Sequence, residues 1–284
     1  MNRRIFAFAL ALLLALGGFA LAETGDMSQV ADAGDMTDVV DVVEPGMVPI
    51  PADMLNDGTY PMIVDCSSSM FKIVSCELTV ADGAMTAALH MKSDAYPYLF
   101  PGKPEEAAAS DVEALVALET VEDDFFFTFP VEALDAGVDC AAFSNRKQLW
   151  YPRTLLFRSD SLPLEAWKAE ALVTAATLGL ADGAYTCEAA LEGGRATLET
   201  PVALTVKDGA VTADIVFSTK KIDYVIVDGE KYLPTNTEGS AAFTVPVAAF
   251  DVRLSIVVDS TAIKPATEVQ YSMTFDSASL AEAE

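Results

Sequence analysis

An eleven-residue pattern occurs twice in this chain, and the duplication restricts the fold more than any other feature. Glu77-Leu78-Thr79-Val80-Ala81-Asp82-Gly83-Ala84-Met85-Thr86-Ala87 is echoed by Ala203-Leu204-Thr205-Val206-Lys207-Asp208-Gly209-Ala210-Val211-Thr212-Ala213. In each copy an alternating apolar run meets Asp-Gly and a second apolar run follows, which is the sequence form of a β-hairpin. Both copies open on a Gly-containing segment, Asp57-Gly58-Thr59-Tyr60 and Asp182-Gly183-Ala184-Tyr185. Both continue into a shared block, Phe127 to Asp135 and Phe243 to Asp251, and both close on related segments, Leu156 to Leu162 and Thr274 to Leu280. Four blocks repeated in one order predict two homologous domains.

The 284 residues leave room for two domains of ordinary size, each with its own core. Residues 1–22 carry Arg3 and Arg4, an apolar run from Ile5 to Leu16 and the ending Ala20-Leu21-Ala22, which reads as a secretory signal peptide. Its removal leaves 15 basic residues against 43 acidic ones. Such an excess of negative charge excludes nucleic acid and anionic membrane as partners. No second long apolar run follows, so the mature chain is expected to lack a transmembrane helix and to be secreted, extracellular or held at a cell surface by a partner.

Cys66, Cys76, Cys140 and Cys187 belong to a chain bound for an oxidising space, where an even count favours disulfides. The repeat aligns Cys76 with Val202 and Cys140 with Ile256, both inward strand positions, which favours a Cys76–Cys140 bridge. Cys66 and Cys187 follow the opening Asp-Gly of their own copies, and a bond between them would staple the two domains together.

In chain order, 23–54 reads as an acidic flexible linker, 55–163 as the first β-sandwich, 164–180 as an apolar helical connector and 181–280 as the second sandwich. Within the first unit, Ser67-Ser68-Ser69-Met70-Phe71 suits a short capped helical turn. The span 93–102 crowds Tyr96, Tyr98 and Phe100 between prolines, and 104–121 reads as an acidic, Ala-rich helix or lid. Trp150 and Tyr151 lie between Lys147 and Arg153, cations beside aromatic faces in an otherwise acidic chain. Tyr224 and Tyr232 flank a further Asp-Gly turn. One histidine, His90, and the absence of a Gly-rich phosphate loop or a Gly-x-Ser-x-Gly motif speak against an enzyme.

The ordered set Ser67 to Phe71, Leu78 to Gly83, Phe129 to Leu134 and Leu149 to Phe157 resembles the NEAT domain, the immunoglobulin-like haem-binding module of Gram-positive surface iron-uptake systems, and the related Shp-type domains. The resemblance implies an all-β fold of two tandem immunoglobulin-like sandwiches. It implies haem as cofactor, with Ser67, Ser68 and Ser69 near the propionates, Met70, Phe71, Trp150 and Tyr151 around the ring and Tyr151 as candidate iron ligand; Met70 is a second candidate because methionine ligates iron in some haem proteins. In that family a Tyr-x-x-x-Tyr hairpin carries the ligand; Tyr151 matches its second tyrosine, whereas Lys147 stands at the first. In the second unit Glu192-Gly193-Gly194-Arg195 replaces the serine turn, and Pro265 and Val269 replace the tyrosines. The implied role is a haem- or iron-uptake component whose partners are haem or another flat hydrophobic ligand, other surface haem-transfer proteins or an ABC transporter. The competing reading is a non-enzymatic structural or adhesive immunoglobulin-like module without a small ligand.

Overall fold

The computed structural model describes residues 26–32, 34, 36, 39–262 and 264–283; the leader expected at 1–22 lies outside them. The fold is all-β. Its first half comprises β1 (Gly58–Met62), β2 (Val64–Cys66), β3 (Ile73–Ala81), β4 (Ala84–Met91), β5 (Tyr98–Pro101), β6 (Val116–Ala117), β7 (Glu119–Val121), β8 (Asp124–Val131), β9 (Gly137–Ser144) and β10 (Leu149–Phe157). The second comprises β11 (Gly183–Cys187), β12 (Ala189–Glu192), β13 (Val202–Lys207), β14 (Ala210–Val216), β15 (Ile222–Val227), β16 (Glu230–Tyr232), β17 (Ala242–Pro246), β18 (Leu254–Ser260), β19 (Thr267–Phe275) and β20 (Ala281–Glu282). The strands form four five-stranded antiparallel sheets, ordered β1-β3-β4-β8-β7 and β2-β10-β9-β5-β6, then β17-β14-β13-β11-β20 and β12-β19-β18-β15-β16.

The strand pairings reproduce the sequence duplication. The run β1-β3-β4-β8 has its counterpart in β11-β13-β14-β17, and β2-β10-β9-β5 in β12-β19-β18-β15. Asp82-Gly83 and Asp208-Gly209 turn with both residues at positive φ, near 51° and 76° and near 53° and 78°. That backbone twists with the flanking strands, and it needs glycine at the second position. Alternation then sends Cys76, Leu78 and Val80 inward from β3, as it does Val202, Leu204 and Val206 from β13. In the first half Leu78, Leu89, Phe127 and Phe129 from one sheet meet Leu99, Ala142, Leu155 and Phe157 from the other. Burial of such side chains, about 2–3 kcal/mol each, drives the two sheets face to face.

Three further devices repeat besides the strand pairing. Asp135 accepts hydrogen bonds from the amide and hydroxyl of Ser159, and Asp251 accepts the same pair from Ser277. Ile50 bridges to Leu134 as Val173 bridges to Phe250. The Tyr60 hydroxyl donates to the Asn56 carbonyl as that of Tyr185 donates to Ala181. The repeated bridges extend the correspondence between the halves to Ile50 and Val173.

Several local expectations are corrected. The 164–180 segment is not one helix but 3-10 turns at Leu164–Ala166 and Ala169–Ala171 followed by α2 (Ala175–Leu178), because Pro163 and Gly179 bound a span that also makes isolated bridges from Trp167 to Leu55 and from Val173 to Phe250. The 104–121 span holds α1 (Pro104–Ala109) and a 3-10 turn at Val112–Ala114 before it turns into β6 and β7. Within 23–54, residues 27–31 lie against β10. The amide of Trp150 donates to the Gln29 carbonyl, Ala31 donates back to Trp150, and the Trp150 indole donates to Met27 at 2.8 Å. These contacts fill the edge of β10 that β2, which reaches only Leu155 to Phe157, leaves unpaired.

All four cysteines are free thiols, and no two lie at bonding distance, so neither expected bridge is present. Cys76 and Cys140 both enter the first core, but on opposite sheets, Cys76 across from Met62 and Leu89 and Cys140 across from Arg153. Cys66 packs against the first core and Cys187 is wholly buried in the second, so each faces away from the other. The halves meet instead at Arg253, only 9% exposed, whose guanidinium contacts Glu44 at 2.5 Å and Glu192 at 2.8 Å and approaches Asp135 at 4.0 Å. Among the described residues, no helix is long and apolar enough to cross a membrane.

Candidate functional site

The 67–71 turn follows β2 and is held by its first two serines. Ser67 pairs with Thr154 of β10 through its amide, which donates to the Thr154 carbonyl, and through its hydroxyl, which accepts from the Thr154 amide at 2.8 Å. Ser68 accepts from the Met70 amide, and the Phe71 amide donates to the Ser68 carbonyl, so the segment is a tight turn rather than a helix. Ser67 and Ser68 are buried, Ser69 is exposed, and Phe71 drops into the first core against Tyr96, ring centroids 5.3 Å apart. Met70 is left on the surface, 50% exposed.

Beside Met70 opens a cavity of about 810 Å³. It lies between the 67–71 turn, the 93–96 loop and the hairpin joining β9 to β10. Met70, Tyr96 and Tyr151 supply apolar wall; Lys72, Arg146, Lys147 and Arg153 supply positive charge. Asp94 is the carboxylate of that lining. Four of the chain's 17 basic residues thus converge on one cavity in a protein with 43 acidic ones.

Arg153 lies deepest. Strand parity sends Tyr151, Arg153, Leu155 and Phe157 to the inner face of β10, and the first two stand where the sandwich opens. The guanidinium lies over the Tyr151 ring at 5.2 Å and the Tyr96 ring at 5.8 Å, within cation–π range. Its Nη1 donates to the Pro152 carbonyl at 2.6 Å and its Nη2 to the Tyr96 hydroxyl at 3.4 Å. Its Nε–H has no hydrogen-bond partner, although Arg153 is only 4% exposed. Among the described residues no carboxylate forms an ion pair with it.

The structure brings Met70 and Tyr151 to one lining and separates the other expected residues. Trp150 points to the opposite face of β10, fully buried against Phe143 and α1 and covered by the 27–31 segment. His90 lies on the outer face of β4, stacked on Phe126 at 4.8 Å and paired with Asp124 at 3.3 Å. Lys147 and Arg153, expected as cations beside the Tyr151 ring, and Tyr96, expected among the crowded aromatics, line the cavity, whereas Lys72, Asp94 and Arg146 are lining residues that reading by motif missed.

The second half places a tyrosine at the position of Arg153. Tyr271, four residues before Phe275 as Arg153 is before Phe157, faces Ile256 across the ladder as Arg153 faces Cys140. Its ring lies against Gly194, and its hydroxyl accepts from the Ala196 amide at 3.2 Å.

Burial raises the thiol pKa of each cysteine, up to about 12 for Cys76 and about 11 for Cys187, so these sulfurs stay protonated and unreactive. No group of three or more His, Cys, Asp or Glu side chains able to hold a metal ion occurs among the described residues. No family model and no curated protein matches this chain.

Proposed function

We propose that this protein is an exported, non-enzymatic binding protein of two tandem NEAT-like, immunoglobulin-like sandwiches, which takes haem into the first of them for iron uptake. The observation that carries the reading is the cavity of about 810 Å³ beside Met70 and Tyr151, within the range of roughly 300–1,000 Å³ usual for small-molecule sites. Tyr96 and Tyr151 offer ring faces to a flat conjugated molecule, while Lys72, Arg146 and Lys147 stand at the rim to meet carboxylates at its edge.

The donor set fits haem. Met70 carries a thioether and Tyr151 a phenol, both known as axial ligands of haem iron. Bound haem would supply a visible absorption band and an iron to pass on; the chain's part is to hold the ring, neutralise its carboxylates and exclude water from one face. A surface haem-transfer protein or an ABC transporter is the kind of partner that would receive it.

Adding haemin to the purified protein and following the visible spectrum tests the reading. A saturable one-to-one band that changes position in Met70→Ala or Tyr151→Phe is the expected result. A spectrum identical to that of free haemin at every ratio would leave a structural or adhesive module as the function.

A further inference from the structure

The cavity contains more charge recognition than haem iron requires. An arginine that is 4% exposed, with its Nε–H unpaired and no ion-pairing carboxylate among the described residues, is costly to bury. Nη1 donates to the Pro152 carbonyl and Nη2 to the Tyr96 hydroxyl, which hold the guanidinium over the Tyr151 ring, and Nε–H has no partner. Lys72, Arg146 and Lys147, all exposed, extend the positive potential from this buried centre to the rim. Candidate iron ligands are sparser: Met70 is half exposed, and His90 is engaged elsewhere with Asp124. In the second half Tyr271 takes the position of Arg153 and packs against Gly194.

We propose that the cavity is an anion-recognition site with Arg153 as its specificity-determining residue, and that its ligand class is a flat conjugated ring bearing carboxylates, with or without a central metal. This inference rests on reading the cavity as the binding site, but it assigns recognition to the carboxylates rather than to the iron. Arg153 attracts one carboxylate at the inner end of the cavity, and the rim cations Lys72, Arg146 and Lys147 take the other. The chain's overall negative charge repels anions at distance, so the site favours ligands whose flat face can also be buried against Tyr96 and Tyr151.

The test is a fluorescence-quenching titration of the full chain with three probes: haemin, iron-free protoporphyrin and protoporphyrin dimethyl ester, whose carboxylates are masked. Haemin and the iron-free acid are expected to bind within a few-fold of one another, and the ester roughly tenfold or more weaker, the size of a lost charge-assisted hydrogen bond. Arg153→Gln should weaken both acids by a similar factor and leave the ester unchanged. Because Arg153 is buried, the rim variant Arg146→Gln/Lys147→Gln gives an independent reading: it should weaken the acids and flatten the salt dependence of their binding. Haemin binding without binding of the iron-free acid would overturn this inference and leave the haem reading standing. Binding of the iron-free acid without haemin would do the reverse. An ester that binds as tightly as the acid, or acids that bind both variants as they bind the parent, would also overturn it, and failure of all three probes would remove both readings.

Discussion

Tyr271 lies so close to Gly194 that a Cβ added there would stand 2.1 Å from the ring carbon Cζ and 2.2 Å from the hydroxyl oxygen. Tyr271 is 5% exposed and anchored by Ala196, so the ring has nowhere to go. Gly194→Ala is expected to destabilise the second half by about 1–3 kcal/mol through overpacking. In Tyr271→Ala, itself costly by about 3–5 kcal/mol, the added methyl should cost almost nothing. Urea unfolding of the two single variants and the double variant measures the coupling; additive values would contradict the packing described.

The aspartates that close each half are at positive φ, Asp135 at 52° and Asp251 at 61°. Aspartate and asparagine tolerate this backbone better than alanine does. Asp251→Ala is therefore expected to cost about 2–4 kcal/mol, from backbone strain and two lost hydrogen bonds to Ser277. Asp251→Asn keeps the backbone and one acceptor, so its cost should stay near or below about 1 kcal/mol. Comparison of the two melting curves checks the ordering.

The thiols tie stability to alkaline pH. Cys76 and Cys187 have pKa values raised by burial from 9.0 to about 12 and about 11, whereas the unfolded chain ionises them at ordinary values. A raised native pKa means that the native state keeps protons the unfolded state releases. The stabilising contribution is complete below pH 9 and is lost as the pH rises from about 9 to about 12. Thiolate absorbance should appear near pH 9 in denatured protein and be delayed in the native protein. All four cysteines should be alkylated only after unfolding, and a native chain carrying fewer than four alkylatable thiols on unfolding would show a bridge the structure lacks.

The docked N-terminal segment shields Trp150. A chain starting at residue 33 lacks the carbonyls of Met27 and Gln29 and the amide of Ala31 that pair with this tryptophan. Its emission should shift to the red, and native hydrogen exchange should rise along 149–153 while the core of β3 and β4 stays protected. An unchanged spectrum would mean that the segment is dispensable to the β10 edge.

Much of the fold was legible because it is local. Leu78 and Val80, or Leu204 and Val206, announce an inward face by alternation alone, and Asp-Gly allows only a few turn geometries, so strands, hairpins and the duplication follow from neighbours in sequence. The cavity opens beside Met70, between the 67–71 turn and the hairpin joining β9 to β10. The chemistry of that cavity was not local: Lys72, Tyr96 and Arg153 come from three separate connections and strands, and only sheet packing brings them together. The same packing kept Cys76 and Cys140 apart, since parity sends both inward but cannot say where on facing sheets they land. Trp150 and Tyr151 are adjacent in sequence and on opposite faces of one strand, which alternation states but proximity hides. Whether a large inward side chain fills its space or borders an opening was decided by tertiary structure: Tyr271 fits because Gly194 has no side chain, whereas Arg153, held by Tyr96 and Pro152, leaves the first sandwich open.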